Sequence, residues 1–136
     1  MVGLGEETQI GRKTQAMKFL IVDDNERARG MIRKYLCGLS DDFRECDDGF
    51  DALRCYEETL PDWVLMDWEM KRMNGLEATR RIVEKYPQAK ILMVTNHDGK
   101  NLRRAAQEAG AKGFVTKDNL MALRPFLNEQ TTTTAC

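Results

Sequence analysis

Four short apolar runs set the strongest limit on how this chain can fold. They cover residues 19–22, 63–66, 91–94 and 113–116, and none alternates with polar residues. A strand that is apolar throughout is buried on both faces, which is the habit of parallel sheets. Helix-like stretches separate the runs, so the chain reads as strand and helix in alternation.

The strand-like segments fall at about 18–23, 43–47, 63–67, 90–95 and 113–116. The second is more polar and reads as an edge strand. A helix over about 26–38 carries Ala28, Met31, Ile32, Tyr35 and Leu36 at helical spacing. Gly49 breaks the chain before a helix with Ala52, Leu53 and Tyr56. Asn74-Gly75 leads into a third, with Leu76, Thr79, Ile82, Val83 and Tyr86, which Pro87 stops. The fourth, about 99–109, shows Leu102, Ala105, Ala106 and Ala109 on one face, with Gly110 placed as its C-cap. The last starts near Asn119 and carries Leu120, Leu123, Phe126 and Leu127, and Pro125 inside it should shorten or bend it. Five βα units predict an α/β fold: a five-stranded parallel sheet with helices on both faces, in three αβα layers, joined by right-handed crossovers.

At 136 residues the chain suits one domain. The domain is expected over 17–129, with residues 1–16 a flexible extension and 130–136 a disordered tail. A net charge of −1 gives no reason to expect direct nucleic-acid binding. The four cysteines form no CxxC pair and His97 is the single histidine, so no zinc spacing exists. A reduced, cytoplasmic protein is the simplest reading. No stretch approaches the roughly 18 apolar residues of a membrane span, and the N-terminus lacks a signal-peptide core.

Each apolar run ends in a residue that handles charge: Asp23 and Asp24, then Asp67, then Thr95, then Lys117. Ligands of open α/β sheets bind along the edge where the strands present their carboxyl ends. Oxygen-rich carboxylate clusters suit Mg²⁺, and three carboxylates together are unfavourable unless a metal and Lys117 supply positive charge. With a metal present Asp67 can act as a nucleophile toward phosphorus, while Lys117 and the Thr95 hydroxyl meet the equatorial oxygens. Each residue also has an ordinary reading. A lone Asp at a strand end caps a turn, Asp23-Asp24 caps a helix, Thr95 is a satisfied hydroxyl, and Lys117 is a solvated charge. All four ordinary readings would have to hold at four successive strand ends. A lone histidine such as His97 is more often incidental than catalytic. Trp63 reads as packing, Trp68 as lining the pocket rim, and Arg103 and Arg104 as a solvated face.

At these residues the chain resembles the receiver domain of two-component response regulators. The matching pieces are FLIVDDNERAR, DWVLMDWEMKRMNGLEATRRI, ILMVTN and AGAKGFVTKD, in that order, over about 17–128. The resemblance implies the flavodoxin-like strand order 2-1-3-4-5. It implies that Asp67 accepts a phosphoryl group from a sensor histidine kinase or a histidine phosphotransfer protein. It further implies that Asp24 and Asp67 ligate Mg²⁺, with Asp23 assisting and the Glu69 backbone carbonyl completing the set. Thr95 and Lys117 would contact the phosphoryl oxygens, and Phe114 would turn inward with Thr95 as the switch. The remodelled surface, about 98–128, would bind a downstream output protein. Such a chain is not an enzyme in the ordinary sense, but a phosphoacceptor that assists its own phosphorylation and dephosphorylation.

Some positions depart from the usual pattern. Lys71 stands where a proline is common, Asp118 replaces a frequent proline, and Asn96 is larger than the usual small residue. Glu69 and His97 fall beside the path of an attacking water and are expected to tune dephosphorylation.

A single-domain switch is the leading reading, because the chain stops soon after the fifth helix. A receiver fragment of a DNA-binding transcription regulator is the alternative, since AGAKGFVTKDNL resembles receivers attached to such domains. An aspartate-nucleophile phosphohydrolase would place a DxD pair after its first main strand, and here the acid pair and Asp67 lie on different strands. A flavodoxin-type FMN carrier needs a Ser/Thr/Gly loop after strand one, and Asp23-Asp24-Asn25-Glu26 would repel a bare phosphate. Homodimerisation through the last helix is open, though Pro125 disturbs that face.

Overall fold

All five expected strands form in the computed structural model, which describes residues 17–40 and 42–131. They are β1 (Lys18–Val22), β2 (Asp42–Cys46), β3 (Trp63–Met66), β4 (Ile91–Thr95) and β5 (Gly113–Thr116). Every pairing is parallel, in the order β2-β1-β3-β4-β5, as the resemblance implied. The helices are α1 (Glu26–Tyr35), α2 (Ala52–Thr59), α3 (Gly75–Lys85), α4 (Lys100–Ala109) and α5 (Leu123–Thr131). Residues 1–16 and 132–136, the expected extension and most of the expected tail, lie outside the described residues.

Side chains of the strands alternate between two apolar layers. Leu20, Val22, Val64, Met66, Ile91 and Met93 face one layer, closed by Ala52 and Tyr56 of α2, Ala78 and Ile82 of α3, and Ala106 of α4. Phe19, Ile21, Trp63, Leu65, Leu92 and Val94 face the other, closed by Ile32 of α1 and by Leu123 and Leu127 of α5. Leu20, Ile21 and Leu65 are wholly buried, each contributing about 2 kcal/mol by leaving water. The continuous apolar runs follow from this: neither parity of any central strand meets solvent.

Local signals place the helix starts. The Asn25 side chain accepts from the Ala28 N–H at 2.9 Å, and that of Asn74 from the Glu77 N–H at 2.8 Å, each capping orphan donors of a first turn. Gly110 closes α4 with φ 109°, as its position predicts.

Three expectations need correction. The last helix does not run from Asn119: a 3₁₀ helix spans Lys117–Ala122, Asn119 interrupts it with φ −136° and ψ 49°, and α5 begins only at Leu123. Pro125 is thus the third residue of α5, in its first turn, where its missing N–H has no helical partner to lose, and α5 is shorter than its apolar spacing suggests. Met31, expected on the buried face of α1, is instead 46% exposed. Helix α1 also stops at Tyr35, with Leu36 as its buried C-cap.

Candidate functional site

Strand register builds the rim. Val22 is level with Met66 across β1 and β3, so Asp23 and Asp67 leave the sheet side by side. The Asp67 N–H donates to the Val22 carbonyl at 2.9 Å, which ties the two exits together. Thr95 is level with Thr116 across β4 and β5, and Lys117 follows at once. Asp23, Asp24 and Asp67 offer carboxylate oxygens that all lie within 4.8 Å of one another. The Lys117 Nζ lies 2.6 Å from Asp23 Oδ2 and 3.2 Å from Asp67 Oδ1. Asp23, Asp67 and Thr95 are buried, and Asp24 is half-buried. The expected carboxylates and the ammonium therefore meet.

Backbone contacts hold this geometry. Asp23 Oδ1 accepts from the Asn25 N–H at 2.9 Å. The Arg29 guanidinium donates to the Asp23 carbonyl at 2.7 Å and reaches Glu45 at 2.7 Å. Arg29 was not singled out from the sequence, where nothing separates it from Arg27 or Arg33. Behind Asp67, a Cβ on Gly75 would collide with the Asp67 carbonyl, so only glycine lets α3 start this close. The Gly75 N–H donates to the Trp68 carbonyl at 2.7 Å, closing the loop between β3 and α3.

One ammonium cannot balance three carboxylates in a buried place. Burial, and then the Asp23 charge, push the Asp67 carboxyl up to about 6 against the pull of Lys117. Burial alone would lower the Lys117 ammonium, but Asp23 and Asp67 outweigh it and hold it above its ordinary value. Hard oxygen donors short of positive charge are the donor set that Mg²⁺ takes. Among the described residues the Glu69 carbonyl accepts no main-chain hydrogen bond, so it too is free to ligate. The residues present fit a divalent cation.

Further residues ring the rim. The His97 N–H donates to Thr95 Oγ1 at 3.3 Å, and His97 Nε2 lies 3.0 Å from Glu69 Oε2. These two exposed side chains meet across the loops after β3 and β4. Trp68 is half-buried and, with Glu69, Met70 and His97, lines an open cleft of about 570 Å³. A second cleft, about 240 Å³, reaches Lys117 past Asn25 and Asn96. A third cleft, about 690 Å³, lies along α1 and is lined by none of the three carboxylates. Trp63 is 1% exposed and packs edge-on against Phe126, 5.7 Å between ring centroids.

Phe114 is half-buried on β5 and joins the same apolar layer as α4. Arg103 does not merely face solvent: its guanidinium lies 4.7 Å from the Phe114 ring centroid and its Nε 2.8 Å from Asp98 Oδ1. Helical spacing could not reveal this contact, because it joins α4 to a neighbouring strand.

Comparison with known proteins agrees with the geometry. The family described as "Response regulator receiver domain" matches residues 19–124. The chain is 35% identical over 105 residues to the uncharacterized transcriptional regulatory protein YhcZ of Bacillus subtilis, covering 75% of this chain and 49% of that one. It is 36% identical over 102 residues to the chemotaxis protein CheY of Halobacterium salinarum, covering 75% and 85%. A solved LuxR-family two-component response regulator from Aurantimonas superposes with a TM-score of 0.80 at 32% identity, covering 87% and 86%. The chain thus spans about half the length of the transcriptional regulators it matches.

Proposed function

The chain belongs to the response regulator receiver domain family, and from that premise we propose that it is a phosphorylatable switch whose acceptor is Asp67. The observation that carries this reading is the buried trio of carboxylates bridged by Lys117. Asp67 offers the nucleophilic oxygen, and a sensor histidine kinase or histidine phosphotransfer protein offers a phosphohistidine. The Asp67 oxygen forms a bond to phosphorus as the phosphorus–nitrogen bond breaks, and the proton needed goes to the departing imidazole. Asp23, Asp24, Asp67 and the Glu69 carbonyl would hold Mg²⁺, which when bound neutralises charge on the transferring group. Lys117 then pairs with a phosphoryl oxygen, and Thr95 turns its hydroxyl toward another. Phe114 follows Thr95 inward and changes the face of α4, β5 and α5 that an output protein reads. The reading places the chain in the cytoplasm, and among the described residues no helix is long and apolar enough to cross a membrane.

The test is incubation with a small acyl phosphate and Mg²⁺, read by intact mass. One added phosphoryl group is expected on the wild-type chain and none on Asp67→Asn. An unmodified wild-type chain overturns the reading. Matches to regulators of twice the length favour a second form of it, in which this receiver controls an attached DNA-binding domain. The reading frame after Cys136 decides between them.

A further inference from the structure

The loop between β3 and α3 carries the Glu69 carbonyl, and side chains alone hold its middle: Met70 and Met73 pack on the apolar layer and Glu69 meets His97. Among the described residues, 69–73 neither donate nor accept a main-chain hydrogen bond. Ordering each such residue costs about 1 kcal/mol of conformational entropy. No proline stiffens the stretch, which reads Glu69-Met70-Lys71-Arg72-Met73.

Its ion pairs to the turn before α2 come from Arg72. The Arg72 Nε pairs with Asp48 Oδ2, and an Arg72 terminal nitrogen lies 3.5 Å from Asp51 Oδ2. The guanidinium also lies 4.9 Å from the ring centroid of Phe50, which is itself 52% exposed. All three partners belong to the turn that starts α2. That turn is fixed in its own right: Asp48 Oδ1 accepts from the Phe50 N–H at 2.7 Å, and the Asp48 carbonyl accepts from the Cys46 thiol at 3.3 Å. The two loops already touch, since a Cβ on Gly49 would run into the Met73 carbonyl and Met70. Burial pushes the Asp48 carboxyl up, but the Phe50 N–H and Arg72 outweigh it and hold it below its ordinary value. A lone exposed ion pair contributes little. Here one planar fork meets two carboxylates and a ring at once, which restricts its geometry.

We propose that Arg72 is a positioning residue: by tying the β3–α3 loop to the Asp48–Asp51 turn, it fixes the Glu69 carbonyl and thereby sets the affinity for Mg²⁺. The proposal rests on the reading of the rim as a Mg²⁺ site. Supporting contacts of metal ligands commonly change affinity by an order of magnitude or more. An exposed latch stands at the lower end of that range.

Mg²⁺ titration followed by Trp68 fluorescence tests it, alongside urea unfolding of each variant. Arg72→Ala is expected to raise half-saturating Mg²⁺ about 3- to 10-fold while keeping the saturated signal. Asp48→Asn should move it the same way, and Arg72→Lys, with charge but no fork, should fall between. Adding Asp48→Asn to Arg72→Ala should cost little more, because both break one contact. A folded Arg72→Ala that binds Mg²⁺ like the wild type overturns the latch and leaves the Mg²⁺ site standing. A wild-type chain that binds no Mg²⁺ overturns both. If Arg72→Ala does not fold, unaltered binding by Arg72→Lys and Asp48→Asn is the overturning result.

Discussion

Asp67 carries a conflict that its neighbours only half resolve. Burial and Asp23 favour its protonated form, and Lys117 opposes them. The folded carboxyl, at about 6, holds its proton more tightly than an ordinary one at 3.8. The folded state therefore binds more protons between these values, and the metal-free chain should lose stability as pH rises through that window. The loss amounts to about 3 kcal/mol. Asp67→Asn should remove this slope and stabilise the metal-free chain at pH 7, as read by urea unfolding in a chelator. A wild-type slope kept in the variant would contradict the assignment. The residues of this conflict were legible in the sequence, because each follows an apolar run and strand ends meet along one edge. The meetings of Arg103 with Phe114 and of Glu69 with His97 were not. The first joins a helix to a neighbouring strand and the second joins two loops, and no periodicity encodes where such side chains turn.

Among the elements, α3 is set against the backbone of the acceptor itself. Its first residue, Gly75, lies against the Asp67 carbonyl with no room for a methyl group. Gly75→Ala should cost roughly 1–3 kcal/mol in stability, and it should also slow phosphoryl uptake, because relief requires Asp67 or α3 to shift. Uptake from a small phosphodonor at fixed Mg²⁺, compared with urea midpoints, checks both halves. Asn74-Gly75 was readable as a helix start, although the reason for glycine was not, since the collision partner lies eight residues back. The last helix shows the opposite case. Its apolar spacing reads as one helix with a proline inside, whereas the structure divides it at Asn119 and Leu123. Spacing alone does not distinguish a 3₁₀ helix leading into an α-helix from one continuous helix, because both bring residues three apart onto one side.

At the scale of the whole molecule, the candidate ligands leave β1 and β3, adjacent strands that are buried at every position but Lys18. They cannot separate without undoing the sheet. Mg²⁺ binding should therefore stabilise the global transition, by about 1.4 kcal/mol at ten times the dissociation constant. A urea midpoint that ignores Mg²⁺, while Trp68 fluorescence responds to it, would show that the rim opens independently of the sheet. The strand order needed the resemblance, since alternation limits topology without ordering the strands. The two-layer division was implicit in the apolar runs, and it has one more consequence. Counting alternate residues along the strands assigns Asp23, Asp67 and Lys117 to the side of α1 and α5, and Thr95 and Phe114 to the side of α3 and α4. Asp67 and its partners Asp23 and Lys117 therefore lean on one apolar layer, and the pair Thr95 and Phe114 on the other, so the signal crosses the sheet between them. Substitutions far apart in the two layers add with little interference, so the α4 side of such a chain can vary while the packing beneath Asp67 stays as it is.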